Sequence, residues 1–251
     1  MRENTVKSLW RAGAVAYGGW LSLPSSLSAE IMANEDFDYV CIDMQHGGID
    51  YQTALTMLQA ISTTETMPFV RVPWNEPGII MKMLDAGAMG VIIPMVNSVE
   101  EATAAVAACR YHPLGNRSFG PLRATIYAGA DYFEHANTEV ACIPMIETEQ
   151  ALDNLDNILS VPGIDAVYVG PADLSITLGQ QPAMANEGRF EKERLRIAKA
   201  CKASGVVAGI HANADLAEKH AASGFQLVTI SSDQGGMRVA ARADLKIARS
   251  N

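Results

Sequence analysis

Four charged side chains lie where apolar, strand-like runs of this sequence end. Glu147 follows ACIPMI, Asp173 follows VYVGPA, and His46 follows DYVCIDMQ. Arg71 lies inside the apolar run PFVRVP. A charged side chain beside a buried strand is costly unless it is paired or put to use. These four residues are therefore the first candidates for chemistry.

Glu147 and Asp173 are one strand–helix unit apart, so we expect their strands to be neighbours. Adjacent strands lie about 4.8 Å apart, and two carboxylates that close repel each other. A divalent cation removes the conflict, and oxygen ligands with open positions suit Mg²⁺ or Mn²⁺. The alternatives are a salt bridge or, for Asp173, a cap on a helix that begins at LSITLG. The two carboxylates together favour the metal.

Arg71 and His46 each have a catalytic and a structural interpretation. Arg71 can form a structural ion pair with Glu147, or it can stabilise an oxyanion beside the metal. His46, with Asp43 three residues before it, can act as a general base near neutral pH. A structural histidine is the alternative. Weaker candidates at strand ends are Gln45, His211 and residues 231–233.

These residue types suggest enolate chemistry. A metal can hold a 2-oxo acid by its carboxylate and ketone oxygens. The arginine would then steady the enolate while the base moves a proton. The sequence contains no nucleophile elbow, phosphate-binding loop or zinc-ligand spacing that would favour another chemistry.

The elements that must position these residues alternate between strand-like and helix-like patterns. Val- and Ile-rich runs without polar alternation are typical of parallel strands that are buried on both faces. Between them, VEEATAAVAACRY, EQALDNLDNILSV and DLAEKHAASG have the apolar spacing of helices. The eight predicted strands are AVAYGGWLSL, DYVCIDM, PFVRVP, GVIIPMV, ACIPMIE, DAVYVGP, VVAGIHA and LVTISSD.

Eight such units predict one α/β domain, a (β/α)8 TIM barrel over residues 1–251. A doubly wound open sheet is the alternative, but no G-x-G-x-x-G follows the first strand. In the barrel, catalytic residues lie at the C-terminal ends of the strands, where the four charged residues fall. The connection over residues 113–137 is long, and long loops are often functional.

Composition excludes several classes of function. The formal net charge of −9, without a Lys/Arg cluster, argues against nucleic-acid binding. MRENTVKSLWRAG lacks the apolar region of a signal peptide, and no apolar run approaches the ~18 residues of a membrane span. We expect buried free thiols in a cytoplasmic protein. The four cysteines, none closely spaced, are Cys41, Cys109, Cys142 and Cys201.

From about residue 18 to residue 242 the sequence resembles the HpcH/HpaI family of class II, metal-dependent pyruvate aldolases. The resemblance rests on DYVCIDMQHGG, VRVPWNEPGIIMKMLDAGAMGVIIPMVNSVEEA, GNRSFGP, IPMIET and GIDAVYVGPADLS. It implies a (β/α)8 barrel, usually a homohexamer, that uses Mg²⁺, Mn²⁺ or Co²⁺. Such enzymes cleave 4-hydroxy-2-oxo acids, such as 4-hydroxy-2-oxoheptanedioate or 2-dehydro-3-deoxy sugar acids, to pyruvate or a close 2-oxo acid and an aldehyde.

The resemblance also implies roles for individual residues. His46 matches the catalytic base, and Arg71 matches the residue that stabilises the enolate. Glu147 and Asp173 match the metal ligands, and the backbone of residues 170–172 matches the cradle for the substrate carboxylate. Two positions depart from the common family pattern and can alter substrate preference: many members have Glu where Gln45 stands and Gln where Met145 stands.

A further acid, Asp85 in MLDAG, matches the residue by which the family raises the basicity of its histidine. Asp85 lies near a predicted helix C-terminus, where the dipole disfavours an acid, on the face away from its own barrel mouth. Asp43 is the geometrically easier partner, and both stay candidates. Arg117 and Arg123, in GNRSFGPLRA, are predicted on the same far face. They belong either to a solvated loop or to a contact with the site of a neighbouring barrel in a closed oligomer.

Two other functions stay open beside the aldolase. A lyase of the same superfamily that acts on an acyl-CoA would need a basic surface for the CoA phosphates, and no such cluster occurs. A non-catalytic barrel that binds or regulates would keep its function after Glu147→Gln or Asp173→Asn.

Overall fold

The computed structural model describes residues 1–250, in which eight parallel strands close into a barrel. Each strand pairs with the next one along the chain, and β8 pairs with β1. The strands are β1 (Ala16–Leu21), β2 (Tyr39–Asp43), β3 (Met67–Arg71), β4 (Gly90–Ile93), β5 (Ala141–Ile146), β6 (Ala166–Val169), β7 (Val207–His211) and β8 (Phe225–Ser232). This confirms the predicted (β/α)8 barrel and excludes the open sheet.

Helices separate the strands and cover the outside of the barrel. They are α1 (Thr5–Arg11), α2 (Ser26–Ala33), α3 (Tyr51–Ile61), α4 (Pro77–Asp85), α5 (Val99–Cys109), α6 (Leu122–Ala128), α7 (Tyr132–Glu139), α8 (Glu149–Asp153), α9 (Leu155–Leu159), α10 (Pro171–Thr177), α11 (Arg189–Ser204), α12 (Ala214–Ala222) and α13 (Asp233–Ala248). Within residues 1–250, none of them is long and apolar enough to cross a membrane.

The elements differ from the predicted ones mainly at their ends. Every predicted strand is present, and most are shorter because the polar or proline-containing flanks turn into loops. The connection over residues 113–137 is not a plain loop, since it contains α6 and most of α7. The helix predicted over residues 149–161 is divided at Asn154, which is the C-cap of α8 and the N-cap of α9.

The barrel interior is filled by aromatic side chains that face glycines on neighbouring strands. A Cβ at position 18 would collide with the ring of Tyr39, and a Cβ at position 90 would collide with the ring of Phe69. Buried polar groups inside the barrel are paired: Thr229 Oγ1 lies 2.8 Å from the Tyr39 hydroxyl and 2.5 Å from that of Tyr168. The rigid interior fixes the strand register.

The register decides which side chains meet at the C-terminal mouth. Asp43, the last residue of β2, lies directly opposite Arg71, the last residue of β3. Ile146 on β5 pairs with Val169 on β6, so Glu147 and Gly170 follow at the same level. The predicted adjacency of these strands is confirmed.

Candidate active site

A cavity of about 330 Å³ opens at the C-terminal mouth of the barrel, the face on which this fold carries its chemistry. It gathers side chains from seven of the eight strand–helix units and the first turns of two helices. The residues that line it are Trp20, Ser22, Asp43, His46, Arg71, Met145, Tyr168, Gly170, Pro171, Ala172, Asp173, Met184, His211, Ser232 and Gln234.

Glu147 is a buried carboxylate behind Gly170 of the cavity wall, with 2% of its surface exposed. Its Oε1 accepts a 2.8 Å hydrogen bond from the backbone N–H of Met95. Its Oε2 faces Gly170, where a Cβ would collide with it. Burial, together with the negative charge of Asp173, raises the pKa of Glu147 to about 7, although the Met95 N–H and the charge of Arg71 act in the opposite direction. Without a cation, the ionised carboxylate of Glu147 therefore has too few hydrogen-bond donors and positive charges around it.

The donor set fits a hard divalent cation. Glu147 Oε2 makes no hydrogen bond within residues 1–250, and Asp173 is exposed to the same cavity. In the described chain no cluster of three or more His, Cys, Asp or Glu side chains has metal-binding geometry. A cation here would take two carboxylates from the protein and leave other positions to water and substrate, an arrangement that suits Mg²⁺ or Mn²⁺.

The backbone of Met95 is held in an uncommon conformation where it contacts Glu147. Its φ is 57°, a left-handed value that costs a non-glycine residue about 1 kcal/mol or more. In this conformation the Met95 N–H donates to the carboxylate. Nothing in the residue type at position 95 indicates this role, so sequence reasoning missed it.

Arg71 and Asp43 form a two-point ion pair. Arg71 Nε donates to Asp43 Oδ1 at 2.9 Å, and Nη2 donates to Oδ2 at 2.7 Å. Burial raises the pKa of Asp43, but the hydrogen bonds and charge of Arg71 outweigh burial and lower it. Trp20 supports both partners, because its Nε1 donates to Asp43 at 3.2 Å and its ring stacks 4.9 Å from the guanidinium carbon.

Two of the structural alternatives from the sequence are wrong. Arg71 does not form its ion pair with Glu147, because the β2–β3 register gives it Asp43 as the direct neighbour. Asp173 does not cap a helix that begins at residue 174. Helix α10 begins at Pro171 with Gly170 as its N-cap, and Asp173 lies within the first turn.

His46 lies on the exposed loop after β2. Its backbone N–H donates to Asp43 Oδ1 at 3.3 Å. Neither candidate carboxylate bonds to its imidazole within residues 1–250, because Asp43 is committed to Arg71 and Asp85 forms a 2.6 Å ion pair with Arg117. The partner of the His46 ring stays a prediction.

The geometry agrees with a known protein family. The model of the HpcH/HpaI aldolase/citrate lyase family matches residues 16–240. The chain belongs to this family. A hydroxypyruvate/pyruvate aldolase from Rhizorhabdus wittichii is 42% identical to it over 98% of this chain and 99% of the relative. A 4-hydroxy-2-oxo-heptane-1,7-dioate aldolase from Shigella flexneri is 38% identical over 96% and 91%.

A solved structure supports the same assignment. An HpcH/HpaI aldolase/citrate lyase family protein from Burkholderia cenocepacia J2315 superposes with a TM-score of 0.92 at 33% identity, covering 98% of this chain and 99% of that one. The chain is therefore an enzyme of the aldolase type in the HpcH/HpaI family.

The two arginines predicted to reach a neighbouring barrel make contacts within their own chain. Arg117 is buried against the rings of Tyr111 and Tyr132 and pairs with Asp85. Arg123 donates to the backbone carbonyls of Ala86 and Leu58. These contacts hold helix ends in place, and a contact with another HpcH/HpaI subunit stays a prediction.

Of the two departures from the common HpcH/HpaI pattern, only Met145 is among the residues that line the cavity. Met145 is buried in the cavity wall. The Oε1 atom of Gln45 is buried without a hydrogen-bond partner within residues 1–250.

An aromatic wall completes the cavity, and of its residues only His211 was a candidate from the sequence, as one of the weaker ones. Trp20 stands edge-on to His211 with 4.8 Å between the ring centres, and the Tyr168 hydroxyl lies 3.4 Å from His211 Nδ1. Burial, together with the charge of Arg71, lowers the pKa of His211 to about 4, against a smaller opposite effect of Asp43. His211 is thus neutral at pH 7 and lines the site; it is not a second cation there.

Proposed function

We propose that this enzyme reversibly cleaves a 4-hydroxy-2-oxo acid to pyruvate, or a close 2-oxo acid, and an aldehyde, and that it uses Mg²⁺ or Mn²⁺, with Co²⁺ as a third candidate. The observation that carries the proposal is that Asp173 and the Asp43-anchored Arg71 line one cavity, while the buried Glu147 lies against Gly170 of its wall and interacts with the charges of both. The hydroxypyruvate/pyruvate aldolase named above, 42% identical, supports the substrate class.

The substrate would be oriented by the carboxylate side of the cavity. A divalent cation held by Glu147 and Asp173 would supply Lewis acidity to the oxygens of a 2-oxo acid. Gly170 has no side chain, so the main chain of residues 170–172 can approach the substrate carboxylate closely. Met145 packs against this segment, since a Cβ at position 170 would lie 2.9 Å from its methyl carbon.

Cleavage requires one proton acceptor and one group that stabilises an oxyanion. The C4 hydroxyl gives its proton to His46 while its remaining electron pair forms the aldehyde carbonyl. The C3–C4 bond breaks, and its electron pair generates the enolate of the 2-oxo acid. Arg71 stabilises the enolate oxygen, since only Nε and Nη2 are used in its pair with Asp43. A proton then adds at C3 and gives pyruvate.

The test is a panel of 2-oxo acids and aldehydes assayed for condensation with and without a chelator. We expect excess chelator to abolish activity and Mg²⁺ or Mn²⁺ to restore it. Borohydride should trap no adduct, because the residues that line the cavity of the described chain include no lysine. Full turnover in chelator, or a trapped lysine adduct, would replace this mechanism with Schiff-base catalysis.

Glu147→Gln and Asp173→Asn separate the aldolase from a barrel that only binds. Each variant removes one negative charge from the proposed metal site, so a Mn²⁺ titration should lose its high-affinity binding together with activity. Wild-type function in both variants would favour the binding module. Turnover of an acyl-CoA, with no activity on free 2-oxo acids, would favour the other lyase.

We also propose that this chain forms a closed homo-oligomer, and we expect a hexamer. Exposed apolar side chains on two regions support this, because patches of this kind mark interfaces. On α13 they include Met237, Leu245 and Ile247, and around α6 and α7 they include Phe119, Leu122, Ile126 and Phe133. Sedimentation velocity tests the assembly, and a monomer at micromolar concentration would contradict it.

In this oligomer we propose that Asp85 and the segment of Arg117 and Arg123 contact the mouth of a neighbouring barrel, where Asp85 can act on His46. The test mixes inactive Glu147→Gln subunits with inactive Asp85→Ala subunits after dissociation. Shared sites should regain part of the activity. No recovery in proven mixed oligomers would show that each barrel works alone. The proposed location is the cytoplasm, with which the four buried free thiols agree.

A further inference from the structure

A network of three buried hydroxyl groups ends on one ring nitrogen of His211. The Tyr39 hydroxyl lies 2.8 Å from Thr229 Oγ1, which lies 2.5 Å from the Tyr168 hydroxyl. The Tyr168 hydroxyl in turn lies 3.4 Å from His211 Nδ1. The residues of this hydroxyl network are fully buried inside the barrel. The groups behind Nδ1 are therefore the same in a single subunit and in any oligomer.

The protons of the hydroxyl network decide which nitrogen of His211 carries a proton. Burial raises the pKa of both tyrosines, so all three hydroxyls are protonated at pH 7. Within residues 1–250 they make no side-chain hydrogen bonds except these. Tyr39 can then donate only to Thr229, and Thr229 only to Tyr168. The proton of Tyr168 is left for His211 Nδ1, because the opposite direction would bury a hydroxyl proton without an acceptor.

His211 therefore carries its own proton on Nε2. Its pKa is lowered to about 4, mainly by burial, so the ring is neutral at pH 7 and Nε2 is its single N–H donor. The two nitrogens of an imidazole point in divergent directions, and Nδ1 points to the barrel interior. Nε2 makes no hydrogen bond within residues 1–250, and the ring lines the catalytic cavity.

Trp20 holds this N–H donor in the neighbourhood of Arg71. The guanidinium carbon of Arg71 lies 4.9 Å from the centre of the Trp20 ring. The His211 ring stands edge-on to the same indole, with 4.8 Å between the ring centres. Both side chains line one cavity. In a 4-hydroxy-2-oxo acid only C3 separates the two carbons that carry the C2 and C4 oxygens. A substrate with its C2 oxygen at Arg71 therefore brings its C4 oxygen close to this cluster.

The C4 oxygen is the substrate atom that still needs a hydrogen-bond donor in the proposed reaction. The C1 carboxylate is assigned to the main chain of residues 170–172, and the C2 oxygen is assigned to Arg71. His46 accepts the proton of the C4 hydroxyl, but it does not neutralise the negative charge that develops on the oxygen. A positioned donor at such an oxygen stabilises the transition state.

We propose that His211 Nε2 donates a hydrogen bond to the C4 oxygen of the aldol, which becomes the carbonyl oxygen of the aldehyde. This rests on the proposed aldolase function and adds a residue to its mechanism. During cleavage the hydroxyl proton goes to His46, an electron pair of the oxygen forms the carbonyl, and the Nε2 proton stays on His211. A neutral imidazole suits this role, because it stabilises charge on the oxygen without transferring its own proton.

The test compares two variants in two reactions. Proton exchange of pyruvate involves no C4 oxygen, whereas aldol cleavage does. His211→Phe keeps an aromatic ring and removes the N–H, so cleavage should fall by about 10²-fold while exchange persists. His211→Gln removes the ring and keeps an N–H of similar reach, so it should cleave about tenfold faster than His211→Phe. Urea unfolding and sedimentation velocity check the fold and the assembly of both variants.

A second measurement reads the tautomer in the wild-type enzyme and does not depend on activity. The protein is labelled with nitrogen-15 histidine and studied by NMR with Mg²⁺ present. The signals that His211→Phe lacks belong to His211. At pH 7 they should show a protonated Nε2 and an unprotonated Nδ1.

The outcomes distinguish this inference from the proposed function. A protonated Nδ1, or cleavage at the wild-type rate in His211→Phe, would overturn the inference and leave the aldolase intact. Equal losses of exchange and cleavage, faster cleavage by His211→Phe than by His211→Gln, or loss of assembly would also overturn it, because the ring would then act through packing. A wild-type enzyme that catalyses neither exchange nor cleavage would overturn the proposed function.

Discussion

Asp43 and Arg71 lie directly opposite each other on β2 and β3, and their side chains form a fork-to-fork ion pair. Asp43 also accepts the indole N–H of Trp20 and the backbone N–H groups of Gln45 and His46. One buried carboxylate therefore fixes both the arginine and the start of the loop that carries the histidine. The oxyanion-stabilising group is thus oriented before substrate binds, which lowers the cost of reorganisation during the reaction.

Arg71→Lys tests whether this fork geometry matters beyond charge. Lysine keeps the positive charge but cannot make the two parallel bonds to Asp43 or stack in the same way on Trp20. We expect losses of about 10²-fold in both pyruvate proton exchange and aldol cleavage, and at least as much in Arg71→Ala. Proton exchange followed by NMR gives the first measurement. Wild-type exchange in Arg71→Lys would show that a point charge is sufficient.

His46→Ala tests the assignment of the proton acceptor. Without the imidazole, the hydroxyl proton of the substrate has no acceptor, so cleavage should fall by about 10²-fold or more. The imidazole makes no hydrogen bond within residues 1–250, so its loss should leave the free energy of unfolding nearly unchanged. A variant that folds normally and cleaves at the wild-type rate would assign the base to another group.

The secondary-structure elements and the proposed metal ligands could be predicted from the sequence because both depend on local patterns. Short apolar runs, most of them rich in Val and Ile, marked all eight strands, and chain order alone made β5 and β6 neighbours. Glu147 and Asp173 could therefore be placed together from their positions after consecutive strands. The resemblance to the family added the roles of His46 and Arg71.

The pairings inside the site could not be predicted, because they depend on register and on contacts between distant segments. From the sequence, Arg71 could either pair with Glu147 or act in catalysis. The register of β2 against β3 instead places Asp43 directly opposite Arg71 and makes it the partner. The same limitation applies to Asp85, whose ion pair with Arg117 joins α4 to the loop before α6 across 32 residues. The left-handed backbone of Met95 has no signature in its residue type.

Met95 offers a stability test that isolates this backbone conformation. Met95→Ala and Met95→Gly both remove the side chain, and they differ mainly in tolerance of a φ of 57°. We expect Met95→Gly to be more stable than Met95→Ala by about 1 kcal/mol, as measured by urea unfolding. Both should retain the N–H that bonds to Glu147. Equal stability of the two would show that the backbone relaxes at this position.

His220 should make the stability of the enzyme depend on pH. It is 1% exposed, and Arg194 Nη1 lies 3.3 Å from its Nδ1. Burial and the charges of Arg194 and Lys219 together lower its pKa to about 4, and Glu191 acts weakly in the opposite direction. Unfolded histidine has a pKa near 6.5. Between these values the unfolded chain binds more protons, so stability is complete above pH 6.5 and falls as the pH decreases towards 4.

The expected size follows from about 1.4 kcal/mol per pH unit for a single group. Between pH 7 and pH 5, His220 should therefore account for a loss of about 2 kcal/mol in the free energy of unfolding. His220→Gln keeps an acceptor for Arg194 and cannot be protonated, so it should remove this part of the slope. His211, whose pKa is also lowered to about 4, contributes a similar slope that the variant leaves in place. His135→Gln, at an exposed position, is the control, and an equal change of slope in both variants would remove His220 as the cause.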